Sequence, residues 1–126
     1  MRLLHTSDWH LGRVLYGLHL TDDQHYVLEQ LVDLVAEIKP DAVVIAGDLY
    51  DRAVPPTEAV ELLDEILFRI VVDNQTPVLA VAGNHDSPER LGFGRRLLAG
   101  EGLYLAGRLE PAAEPVIIAD RFGPDV

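Results

Sequence analysis

Three short clusters of metal-ligating and proton-transferring residues lie far apart in the sequence. Asp8 and His10 belong to Ser7-Asp8-Trp9-His10, Asp48 and Asp51 to Gly47-Asp48-Leu49-Tyr50-Asp51-Arg52, and Asn84 and His85 to Gly83-Asn84-His85-Asp86. Carboxylate, imidazole and amide oxygen without sulfur suit the harder divalent ions, manganese first, with iron or zinc as further choices. A carboxylate can lend its two oxygens to two ions, and Asp48 is the candidate bridge. Two ions about 3.5–4 Å apart activate water and neutralise phosphate oxygens during in-line displacement. Phosphoester hydrolysis is the chemistry this set favours. Any one of these residues alone reads more simply as a turn or helix cap; only the three clusters together carry the metal reading.

Such a set works only if the fold brings the clusters to one edge. Short apolar runs at 3–6, 42–46, 78–82, 103–106 and 116–119, several rich in Val and Ile and bounded by Gly, Pro or Asp, predict strands buried on both faces. A first helix is expected from Thr21, with Thr21-x-x-Gln24 as a capping box and Val27, Leu28, Leu31, Leu34, Val35 and Ile38 at helical spacing, ending before Pro40. A second follows Pro55 and Pro56 with Thr57 as N-cap and buries Val60, Leu63, Leu67, Ile70 and Val71. Phe68 and Val72 fall off that stripe, on the side of Glu61 and Asp64, and are expected to cover the sheet edge or meet another subunit. A third, shorter helix opens at Ser87-Pro88-Glu89 and runs toward Gly100. The order βαβαβαββ, with long crossovers, predicts an α/β layered fold with helices packed on a mainly parallel sheet. Ligands of such folds gather beyond the carboxyl ends of the strands, where all three clusters fall. Gly47 and Gly83 sit where the chain must turn sharply out of a strand.

The composition fits one soluble globular domain: 126 residues, 48% hydrophobic and 25% charged, with no repeats or low-complexity tract. Cysteine is absent, which removes disulfides and thiolate metal sites and agrees with a cytoplasmic setting. No stretch approaches the roughly 18 apolar residues of a membrane span. The 10 Lys and Arg against 21 Asp and Glu leave a net charge of −11, which argues against simple electrostatic DNA binding. Asp8, Asp48, Asp51 and Asp86 belong to the candidate site, however, and two bound dications shift the local balance by about four units. The segment is therefore expected to contribute a metal-holding edge.

In order and spacing, Asp8-x-His10, Gly47-Asp48-x-x-Asp51-Arg52 and Gly83-Asn84-His85-Asp86 resemble the opening motifs of the calcineurin-like metallophosphoesterases. The flanking text LHTSDWHLG at 4–12, VIAGDLYD at 44–51, VAGNHDSPERL at 81–91 and GLYLAG at 102–107 is similar to the double-strand-break repair nucleases of that superfamily, the bacterial SbcD family. This resemblance implies that residues 1–126 are the N-terminal part of a single layered metallophosphoesterase domain. It implies two divalent ions, Mn2+ first, with Asp8 and His10 on one, Asp48 bridging and Asn84 on the other. His85 then corresponds to the general acid beside the metals and Asp51 to the carboxylate that pairs with its imidazole, with Asp86 supporting the site. Arg52 reads as a salt-bridge residue before a phosphate contact.

The implied substrate is DNA, cut by ATP-dependent exonuclease action on double-stranded ends and endonuclease action on single strands or hairpins. The implied partners are an SbcC-like SMC-family ATPase and a second copy of the chain, joined through helices two and three, with no membrane. The family pattern continues with a Gly-His and then a Gly-His-x-His element, and neither occurs here. The chain is thus expected to be a truncated piece that binds metal weakly, with water filling the remaining positions, and has little activity alone. Two other readings remain open: a phosphatase or cyclic-nucleotide phosphodiesterase, and an inactive dimerisation module. Elsewhere, His5 is expected to pack in the core, His19 and His25 to lie at the surface, and Trp9 to pack rather than ligate. Gly92-Phe93-Gly94 follows no strand and fails as a dinucleotide fingerprint, and Arg95 and Arg96 are expected on a solvated helix face.

Overall fold

A computed structural model of the protein describes residues 1–83, 98–106 and 115–119. Along the chain run β1 (Leu3–Thr6), β2 (Val14–Leu15), β3 (Leu18–His19), α1 (Thr21–Ile38), β4 (Ala42–Ala46), α2 (Thr57–Phe68), a π-helical turn (Arg69–Asp73), β5 (Val78–Val81) and β6 (Leu103–Ala106). Four strands form one parallel sheet in the order β1-β4-β5-β6. This is the α/β layered arrangement that the alternating pattern predicts.

Parallel pairing aligns side chains in rows across the sheet. Val43, Val78 and Leu103 form one row, and Ile45, Ala80 and Leu105 the next. These rows face α1 and α2, which contribute Leu28, Val32, Val35, Leu62, Leu63 and Ile66 to the same core. The opposite face is more open than continuous apolar strands suggest. Along it His5 is exposed, Val44, Leu79 and Tyr104 are half-buried, and Ala46, Val81 and Ala106 are exposed. The expectation of strands buried on both faces is corrected for the described residues, and so is the core placement of His5. Among the described residues β1 lies at the sheet edge, so His5 has a paired strand on one side there.

Both described helices start close to where their sequence signals put them, but with different caps. Leu20 and Pro56 occupy the N-cap positions, neither with a side-chain cap bond, and Thr57 is the first residue of α2. The capping box is therefore not formed, because the Gln24 amide is engaged elsewhere. The helix α1 ends at Ile38, and its C-cap Lys39 turns left-handed with φ 47° and returns its N–H to Val35 O, immediately before Pro40. The buried stripes also rotate slightly from the predicted ones. Val32 replaces Val27 and Leu34 in α1, and Leu62 and Ile66 replace Val60 in α2. Phe68 and Val72 are 55% and 50% exposed. They border a groove of about 480 Å³ beside the edge strand β6, so they do not seal that edge.

The run 116–119 is irregular rather than a strand. An unpredicted hairpin appears at β2 and β3, turned by Tyr16 and Gly17, both at positive φ, the geometry of a tight two-residue hairpin. Of the predicted third helix, only residues 98–99 are described as helical; its start at Ser87 lies outside the described residues.

Candidate metal centre

Beyond the carboxyl ends of β1 and β4 the two chain segments stay in step. Asp8 N–H donates to Gly47 O at 3.1 Å, His10 N–H to Asp48 O at 2.9 Å, Leu11 N–H to Leu49 O at 2.9 Å, and Asp51 N–H to Leu11 O at 3.0 Å. The sheet is thus prolonged as a laced pair of loops, and these loops carry the first two clusters. Asp8, His10 and Asp48 each adopt left-handed backbone, with φ of 58°, 47° and 52°. Such conformations cost about 1–3 kcal/mol apiece for residues other than glycine and persist where surrounding bonds over-determine them. Here the interloop bonds do so, and the strain gathers on the three candidate ligands.

The side chains converge accordingly. His10 Nε2 lies 3.6 Å from Asp8 Oδ1 and 3.8 Å from Asp48 Oδ2. One ligand atom from each of the three residues falls within 4.8 Å of the others. On the other side of the ring, His10 Nδ1 lies 3.2 Å from Asp51 Oδ1. The Asp51 carboxylate stands behind the ring, and the Nε2 edge faces the two aspartates, the direction in which a cation between them would lie. Two carboxylates plus one backed imidazole, none of them sulfur, fit a hard or borderline divalent ion.

Further contacts support this geometry. The Gln24 side chain donates to Trp9 O at 3.2 Å and His10 O at 2.8 Å and accepts from Gly12 N–H at 3.3 Å, tying the ligand loop to α1. Trp9 turns away from its ligand neighbours into the core and donates Nε1–H to Thr6 Oγ1 at 3.0 Å, as its expected packing role requires. Gly83 has no room for a side chain: a Cβ there would collide with the backbone nitrogen and carboxylate of Asp48. The Ser7 hydroxyl donates to Asp8 Oδ2 at 3.0 Å.

Of the predicted site residues, Asp8, His10, Asp48 and Asp51 are brought together. Asn84 and His85, with Asp86, Arg95 and Arg96, lie outside the described residues. Asp51, assigned from resemblance to the imidazole of His85, has its carboxylate against His10. Arg52 and His19 are exposed, whereas His25 is half-buried, between α1 and α2, rather than simply at the surface. Gln24 was missed as a site-supporting residue because its spacing from Thr21 also spells a capping box. No sequence signal distinguishes the two roles.

Similarity to known proteins agrees with the geometry. Over 116 residues the chain is 40% identical to the SbcD component of the nuclease SbcCD from Staphylococcus epidermidis, covering 92% of this chain and 31% of that protein. Over 120 residues it is 38% identical to the corresponding SbcCD nuclease component of Staphylococcus saprophyticus, covering 95% of this chain and 32% of that protein. The chain spans about a third of the length of these curated relatives. The calcineurin-like phosphoesterase family profile matches residues 1–120, a span that contains every residue of the converging cluster. With its ligand loops at the strand ends and this match across nearly its whole length, the chain belongs to the calcineurin-like phosphoesterase family.

Proposed function

We propose that the chain supplies the first metal-holding edge of a divalent-metal-dependent DNA nuclease of the SbcD type. The observation that carries this reading is the convergence of Asp8, His10 Nε2 and Asp48, with Asp51 behind Nδ1. Both relatives are named as a component of the nuclease SbcCD, which supports DNA as the substrate class and an SbcC-like ATPase as the partner. Bound ions, Mn2+ first, supply positive charge to the phosphate oxygens and lower the proton affinity of water. Asp8 and His10 would hold one ion, and Asp48 would be shared with a second. Asp51 orients the His10 ring from its Nδ1 side. Asn84 would be a ligand of the second ion, and His85 would protonate the departing oxygen. On this reading the acidic loops hold cations and leave the tracking of DNA to other surfaces.

The dimer contact belongs to the same reading. Phe68 and Val72, exposed on α2 and the following π-helical turn, are the apolar residues that a second copy would cover.

A chimera tests the nuclease reading. The chain replaces the matching N-terminal third of the S. epidermidis relative, and hydrolysis of single-stranded DNA is followed with Mn2+. The expected result is Mn2+-dependent cleavage that Asp48→Asn reduces at least about a hundredfold. A folded chimera that hydrolyses small phosphodiesters but leaves DNA intact would favour the phosphodiesterase reading instead.

A further inference from the structure

The contact between α1 and α2 contains a second constellation that the nuclease reading does not use. His25 and Glu29 stand at i and i+4 on α1 and share one helix face, and Glu65 meets them from α2. His25 Nε2 lies 3.1 Å from Glu29 Oε1 and 3.6 Å from Glu65 Oε1. One ligand atom from each residue falls within 4.8 Å of the others. The Nε2 atom is shielded from solvent yet makes no aligned hydrogen bond among the described residues, although the imidazole as a whole is 39% exposed.

Two arrangements could produce such a trio. A protonated imidazole shared between carboxylates draws an oxygen to about 2.7–2.9 Å along its N–H direction. Ligands at about 2.0–2.1 Å around a tetrahedral cation instead stand about 3.3 Å apart, with lone pairs rather than protons aimed at the centre. The two observed separations bracket that second value, and a buried nitrogen without an aligned bond agrees with it.

We propose that His25, Glu29 and Glu65 form a second cation site, which takes a borderline divalent ion such as Zn2+ and clips α1 to α2. One imidazole and two carboxylates are a zinc ligand set, and water completes the shell. Asp22, Glu58 and Glu61 line the same cleft of about 210 Å³ and add negative charge around it. Arg69 Nη1, 3.8 Å from Glu29 Oε1, offsets part of that charge. Because the ion joins both helices that cover the sheet, its binding stabilises the folded chain by linkage.

Equilibrium dialysis of the His10→Gln/Asp48→Asn variant against Zn2+ isolates this site from the first. The expected result is about one Zn2+ retained per chain, bound at least tenfold more weakly once His25→Gln or Glu65→Gln is added. The side chains of His25 and Glu65 are 39% and 49% exposed, so these replacements remove little core packing, and circular dichroism checks the fold. In the same double-variant background, Co2+ provides a second measurement: a tetrahedral visible band that His25→Gln removes. Failure of the folded variant to retain Zn2+, retention indifferent to His25→Gln, or a Co2+ band that survives that substitution would overturn the proposal.

Discussion

At the residue scale, His10 illustrates how little of a site is its ligand atoms alone. Its Nε2 faces Asp8 and Asp48 while its Nδ1 faces Asp51, so the ring is fixed from both ends. Asp51→Asn keeps the shape but replaces the carboxylate facing Nδ1, and partners of this kind are worth about 10–100-fold in metal affinity. Titration calorimetry with Mn2+ should show a loss in that range with the fold intact; unchanged affinity would remove Asp51 from the site. Gly83→Ala introduces a Cβ where the Asp48 backbone and carboxylate already lie. It should lower both melting temperature and Mn2+ affinity, whereas Gly17→Ala, at a turn with open space around it, should affect stability without touching the metal. The ligand types were legible in the sequence because Asp and His declare their chemistry. Asp51's contact with His10 was not, since which imidazole a carboxylate meets depends on how two loops register, and that register is set by interloop backbone bonds.

Among the elements, β1, α1, β4, α2, β5 and β6 were legible because short apolar runs bounded by Gly, Pro or Asp alternate with stretches at helical spacing. The details that failed depend on tertiary context. A Thr-x-x-Gln spacing signals a capping box, yet the Gln24 amide finds three backbone groups of the ligand loop instead. Gln24→Ala should therefore loosen residues 9–12 as well as destabilise the chain, by about 1–3 kcal/mol for several hydrogen bonds lost together. Hydrogen exchange at Gly12 and denaturant melts check the two parts. Ile66, fully buried where α2 meets the sheet, should cost about 2–5 kcal/mol when replaced by Ala, with no change in which residues bind metal. The run at 116–119 has strand-like composition but no regular pairing among the described residues, and an apolar tetrapeptide alone cannot specify a partner. The hairpin at Val14–His19 was overlooked because Tyr16-Gly17 lacks the Asn-Gly or Asp-Gly that advertises such turns.

Over the whole molecule, the acidic balance and the open apolar surface acquire a place. A net charge of −11 remains a poor base for tracking DNA, but the carboxylates of Asp8, Asp48 and Asp51 are gathered where a cation would meet them. Exposed Phe68 and Val72 predict self-association: Phe68→Glu should shift sedimentation toward the monomer without altering the helical circular dichroism. A sedimentation profile identical to that of the unaltered chain would leave the groove beside β6 without that role. The central claim is that Asp8, His10 and Asp48 hold a divalent ion. The most direct measurement is Mn2+ binding followed by electron paramagnetic resonance in a His25→Gln background, with and without His10→Gln. The background chain should bind Mn2+ and His10→Gln should weaken that binding at least tenfold; equal binding by both would contradict the claim.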